Sequence, residues 1–149
     1  MLDSFQVFLG TGVVASEGQS GAMKAIDSEQ PVKALGLVRD LFFRARIDAV
    51  ARAVGAGVSY ASTLDSALAQ CAEGSFAIIF ADLSDVSPAL PDTVARIRAA
   101  APHARLIGFA SHVDLKALRS ARDAGFDQTL SREQFTAQLP ELLSSGRPA

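Results

Sequence analysis

The stretch Phe76-Ala77-Ile78-Ile79-Phe80-Ala81-Asp82 decides how this chain reads. Its apolar residues run without alternation, the pattern of a strand buried on both faces. Asp82 closes the run and is followed by Leu83-Ser84-Asp85. Open α/β sheets bind ligands beyond the carboxyl ends of their strands. A carboxylate at that place reads as a phosphoacceptor, a metal ligand, or the remnant of either. The plainer alternative is a strand terminator that holds a backbone amide or pairs with Arg132.

On either side of this strand, strand and helix patterns alternate from Pro31 onward. Ala34–Val38 is an apolar run ending at Arg39-Asp40. Phe43, Ile47, Val50 and Val54 recur on one helical face, and Gly55 and Gly57 end that helix. Val58–Ala61 alternates like an edge strand, and Ser62-x-x-Asp65 reads as a capping box before a stripe of Leu64, Leu68 and Cys71. After Asp82, a loop with Pro88 and Pro91 leads to a helix carrying Leu90, Val94, Ile97 and Ala101. Leu106–Ala110 is the fourth strand. Ser111-x-x-Asp114 caps a helix that ends at Gly125. Asp127–Leu130 is a short polar strand, and Ser131-x-x-Gln134 caps a helix burying Phe135, Leu139, Leu142 and Leu143. Pro140 lies inside that pattern and predicts a kink or a late start.

Alternating strands and helices argue for a parallel sheet covered on both sides. Strands one, three and four are apolar throughout and belong inside; strands two and five are shorter and more polar and belong at the edges. The order 2-1-3-4-5 satisfies this. The expected class is therefore α/β, a three-layer flavodoxin-like fold with a five-stranded parallel sheet and five helices.

Composition sets further bounds. The chain has 149 residues, 49% of them hydrophobic, enough for one domain with a sizeable core. A net charge of −2 gives no general attraction to nucleic acid or anionic lipid. No apolar run approaches the roughly 20 residues of a membrane span. Cys71 is the single cysteine, which excludes an intramolecular disulfide and reads as a core residue. A cytoplasmic location follows from this and from the lack of a signal-peptide pattern. Residues 1–30 differ from the rest: rich in Gly and Ser, they carry Asp3, Glu17, Asp27 and Glu29 against Lys24. They read as a mobile tail preceding a domain at 31–149, with Met23 resembling an internal start.

The order 2-1-3-4-5 makes strands one and three neighbours, so Asp40 and Asp82 are expected to converge at the switch point. Arg39 and Arg44 lie beside the first strand end, Ser111 and His112 follow the fourth strand, and Arg132 follows the fifth. All share one rim of the sheet.

With these residues in place, the chain resembles the receiver domain of bacterial response regulators over roughly residues 33–145. Ala77-Ile78-Ile79-Phe80-Ala81-Asp82-Leu83 has the third-strand spacing, with Asp82 at the phosphoacceptor position. Leu37-Val38-Arg39-Asp40 matches the first-strand motif, and Ala124-Gly125-Phe126-Asp127 resembles the turn before strand five. The motifs are short; their order and spacing carry the likeness.

The resemblance implies a magnesium site built from an acidic pair and the acceptor, here Asp40 and Asp82. Arg39 stands where receivers carry the first acid. A guanidinium about 4 Å from a divalent ion opposes it by several kcal/mol at an effective dielectric of ~20. Arg39 could instead neutralise Asp40 or Asp82, or point into solvent. Receivers place a Thr or Ser at the end of strand four, where this chain has Ala110; Ser111 comes one residue late, on the other face, and reads as a helix cap. Arg132-Glu133 replaces a Lys-Pro pair, and Thr129 replaces the aromatic switch residue.

The expectation is a stand-alone receiver-like signalling module, not an enzyme, acting by protein contact with a degenerate acceptor site at Asp82. Asp40 forms the acidic pocket, Arg39 and Arg132 compensate charge, and Ser111 and His112 line the rim. No cofactor is required, magnesium entering only if the acceptor functions. The resemblance implies protein partners, a histidine kinase or another signalling protein, and a homodimer through the face of helix four, strand five and helix five. Neither nucleic acid nor membrane is expected as a partner. Two alternatives stay open: a working magnesium-dependent phosphoacceptor receiver, and a small anionic-ligand or nucleotide module using Arg39, Arg44 and Arg132.

Overall fold

The computed structural model describes residues 31–84 and 90–145. Its elements run β1 (Lys33–Leu37), α1 (Leu41–Val54), β2 (Gly57–Tyr60), α2 (Leu64–Glu73), β3 (Ile78–Asp82), α3 (Leu90–Ala100), β4 (Arg105–Ala110), α4 (Leu115–Ala124), β5 (Gln128–Ser131) and α5 (Arg132–Ser145). The five strands form one parallel sheet in the order β2-β1-β3-β4-β5. Burial explains the order. Every residue of β3 is buried, whereas β2 and β5 are half-exposed and sit at the edges. The expected tail at 1–30 and the loop residue Pro88 lie outside the described residues.

Alternation along the strands divides the core in two. Ile78, Phe80, Ile107 and Phe109 face α1 and α5, meeting Phe43, Ile47, Phe135 and Leu139. Ile79, Ala81 and Leu106 face α2, α3 and α4, meeting Cys71, Val94, Ile97 and Phe126. Gly36 on β1 allows the first layer to close, since a Cβ there would lie 2.6 Å from the Phe80 ring.

Helix ends follow local chemistry, with some corrections. Gly55 and Gly125 take positive φ of 75° and 114° and end α1 and α4 as expected. The box at Ser131 forms in full: its amide donates to Gln134 Oε1 at 2.9 Å and its hydroxyl accepts from the Gln134 amide at 3.0 Å. The expected cap of α2 at Ser62 is displaced to Thr63, which accepts from the Ser66 amide at 3.1 Å. The Ser62 hydroxyl instead accepts from Arg44 at 3.2 Å. The cap of α4 is Asp114, accepting from the Ala117 amide at 3.1 Å, and Ser111 is not a helix cap. Ser111 closes the preceding turn, its carbonyl accepting from the Asp114 amide at 2.9 Å.

Two prolines also differ from expectation. Pro91 lies in the first turn of α3, where its missing N–H costs nothing. α5 begins directly at Arg132 and continues through Pro140, so there is no late start. Burial of Phe135, Leu139, Leu142 and Leu143 outweighs the lost helical bond.

Candidate functional site

Asp82 is the last residue of β3, and its side chain follows Ile78 and Phe80 toward α1 and α5. It is 2% exposed. A buried carboxylate needs hydrogen bonds and a counter-charge, and both are present. Oδ1 accepts from the Ser84 amide at 3.1 Å and from its hydroxyl at 2.7 Å. Oδ2 accepts from the Arg132 guanidinium at 3.0 Å.

Arg132 is positioned by the sheet and by two aromatic rings. It opens α5 directly after β5, so the β4–β5 pairing sets its distance from β3. Its guanidinium lies 4.9 Å from the centre of the Phe43 ring and 5.5 Å from that of Phe109. Phe109 is the register partner of Asp82 and stacks on Phe135, ring centres 4.4 Å apart. A planar guanidinium suits this setting, since it can bond a carboxylate and lie on aromatic faces together. The result is an ion pair with a buried carboxylate and a partly exposed guanidinium that lies over aromatic rings.

Comparison with known proteins places this architecture. No protein-family model matches the chain, and no curated protein matches it in sequence. Solved structures do. A response regulator from Thermotoga maritima matches with a TM-score of 0.65 and 14% identity, over 78% of this chain and 100% of that one. A response regulator from Burkholderia pseudomallei, with a phosphorylated aspartate, calcium and citrate, matches with a TM-score of 0.61 and 20% identity, over 76% and 69%. The receiver domain of a sensor histidine kinase from Pseudomonas aeruginosa, with magnesium in its active-site cleft, matches with a TM-score of 0.63 and 17% identity, over 76% and 95%.

The fold is that of a response-regulator receiver domain.

Within this receiver fold, the other rim residues have separate surroundings. Asp40 is exposed and serves α1: its Oδ1 accepts from the amides of Phe42 at 2.9 Å and Phe43 at 3.2 Å. Arg39 is exposed at the mouth of a cavity under α2 and α3. The cation on Asp82 Oδ2 is therefore Arg132, while Arg39 lies at a cavity on the other side of the sheet. Ala110 is buried and offers a methyl group at the end of β4. Ser111 and His112 are exposed, and His112 Nδ1 lies 3.7 Å from Glu133. Thr129 lines a shallow groove between α4, β5 and α5.

Arg44 is structural. Its Nε donates to the Val38 carbonyl, its other end to Ser62, and its guanidinium lies 4.8 Å from the centre of the Tyr60 ring. Burial, the 2.8 Å hydrogen bond to Asp48 and that carboxylate's charge push the Tyr60 phenol well above its usual range. Arg98 is likewise structural. It donates to the carbonyls of Ala104 and Gly125 and pairs with Asp127 at 3.0 Å. Burial pushes the Cys71 thiol up, in keeping with an inert core residue.

Ser84, Phe43 and Phe109 are the site residues sequence reasoning missed. Ser84 had a local signal, the Asp-x-Ser spacing of a side-chain turn. The two phenylalanines had none, because their role depends on where Arg132 arrives.

Proposed function

We propose that this domain is a cytoplasmic signalling module that works by protein contact, its acceptor site held by an internal cation. The observation that carries the reading is the 3.0 Å contact of Arg132 with Asp82, with Ser84 on the second oxygen. Three further features support it. An arginine stands where the first metal-binding acid would be, Asp40 caps a helix, and Ala110 supplies no hydroxyl.

A hard divalent cation prefers six or more oxygen ligands, anionic where it must be held tightly. The donors here fit it poorly. Asp82 is engaged through both oxygens, and among the described residues no three His, Cys, Asp or Glu side chains are grouped. The chain's own residues balance the charge, with Arg132 neutralising Asp82 at Oδ2 and Ser84 donating twice to Oδ1.

Contact with partners is assigned to the face of α4, β5 and α5. Leu115, 61% exposed, lines a groove of about 390 Å³ with Leu118, Arg119, Arg122 and Thr129, and Val113, 76% exposed, lies just before α4. Exposed apolar residues rimmed by cations suit a protein interface. A homodimer or a signalling partner would use this face.

The test is addition of magnesium with a beryllium fluoride complex, followed by amide spectra. The reading expects no saturable change at Ser84, Ser111 or Arg132. A magnesium-dependent change centred on Asp82 would establish the alternative, a working phosphoacceptor receiver.

A further inference from the structure

The two faces of the sheet differ at the strand ends. On the α1/α5 face the space beside Asp82 is filled by Arg132 and aromatic rings. On the opposite face lies a cavity of about 150 Å³. Its walls are Leu37, Ala61, Leu64, Ala81, Ile97 and Phe126 with the buried Thr93, and its mouth carries Arg39, Ser62 and Thr63. The space has a clear origin. Ala61 and Ala81 occupy strand-end positions in the sheet's second core, where larger side chains would fill the layer. Phe126 packs over Gly108, whose Cβ would lie 3.0 Å from the ring, and forms one wall.

We infer that this cavity is a binding site for a small monocarboxylate with one ring or a short branched chain. Size sets the first limit: an apolar cavity of about 150 Å³ accepts a ligand the size of benzene. Polarity sets the second. Apart from Thr93 the walls are apolar, so the body of the ligand is apolar, and burying it is the favourable step. The mouth sets the third. It combines the Arg39 guanidinium, the Ser62 hydroxyl and the N-terminal end of α2, which carries partial positive charge. Asp65, the one acid in the first turn of α2, is exposed and pairs with Arg96 at 3.6 Å. The mouth therefore favours an anion. Such a ligand rests on Ala81, the residue before Asp82, and on α2 and α3. This goes beyond the signalling reading and is independent of it, because the Asp82–Arg132 pair lies on the other face.

The test uses the full chain and benzoate, with benzyl alcohol as the uncharged control, in two-dimensional amide spectra at millimolar ligand. Benzoate is expected to produce saturable shifts at Leu37, Leu64, Ala81 and Phe126. Ala81→Val fills the cavity from β3, where a β-branched residue is tolerated, and should abolish the shifts. Arg39→Gln should weaken benzoate about two- to fivefold, the range of an exposed ion pair, and leave benzyl alcohol unchanged. Should Ala81→Val lose its dispersed spectrum, Ala61→Val fills the space from the other side. The inference is overturned if benzoate gives no saturable shift in the parent, if its shifts lie elsewhere, or if a folded cavity-filled variant binds as the parent does.

Discussion

Replacing Arg132 by methionine tests the central claim, that Asp82 is held by an internal cation. Methionine keeps a flexible apolar stem over Phe43 and Phe109, so the change removes charge more than packing. Asp82 is 2% exposed and cannot recover water in place of the guanidinium. Two unit charges about 4 Å apart attract by ~4 kcal/mol at an effective dielectric of ~20. Removing one member of a buried pair typically costs about 3–5 kcal/mol. The Arg132 side chain is 36% exposed, and Ser84 still bonds Oδ1, so the lower end applies. Arg132→Met is therefore expected to cost about 3 kcal/mol. Asp82→Asn keeps the shape of the side chain and leaves a partly hydrated cation, at about 1.5 kcal/mol. The double variant should fall about 2 kcal/mol short of the summed single effects, because each change removes the same attraction. Urea unfolding followed by far-UV circular dichroism, on all four proteins, yields the coupling energy. A coupling below about 0.5 kcal/mol, the usual error of additivity, would refute the reasoning.

Other expectations follow from the same geometry. Asp40→Ala should lose about 1 kcal/mol by uncapping α1, while Asp40→Asn should stay within a few tenths; urea midpoints separate the two, and equal losses would deny the capping role. Gly36→Ala forces the buried Phe80 ring to move and should cost about 2 kcal/mol in the same assay. Asp127 should make stability acid-sensitive. Burial alone would raise its pKa, but the Arg98 and Leu106 hydrogen bonds and the charges of Arg98 and Arg105 outweigh this and hold it below the usual carboxylate range. Its contribution is thus complete above about pH 4, the unfolded value, and is lost as pH falls through the depressed one. Asp127→Asn should be less stable than the parent by about 1 kcal/mol at neutral pH, the pair being partly screened, and the gap should close under acid.

Much of the architecture was legible because each element carries its own signal. The unbroken apolar run at 76–81 marked an interior strand, and Gly55 and Gly125 marked helix ends that need positive φ. The Ser131–Gln134 box was legible because both partners lie within one helical turn. The caps of α2 and α4 were placed too early because several hydroxyl and carboxylate side chains compete there. Backbone geometry, not residue type, chose Thr63 and Asp114. The role of Arg98 carried no sequence signal, since its bonds to Gly125 and Asp127 join segments distant in sequence.

Sequence alone determined the strand order, the edge strands, and the presence of Asp82 and Arg132 on one rim, because hydrophobic period and parallel-sheet topology are local or combinatorial constraints. Only tertiary structure decided what each charged group meets. Arg132 lies fifty residues beyond Asp82, and contact between them requires the β3, β4 and β5 register and the start of α5. Arg39, one residue from Asp40, lies instead at a cavity on the other face, and Asp40 turns to its own helix. A side chain's composition states what it can bond. The distances that select one partner among several arise only when the layers close.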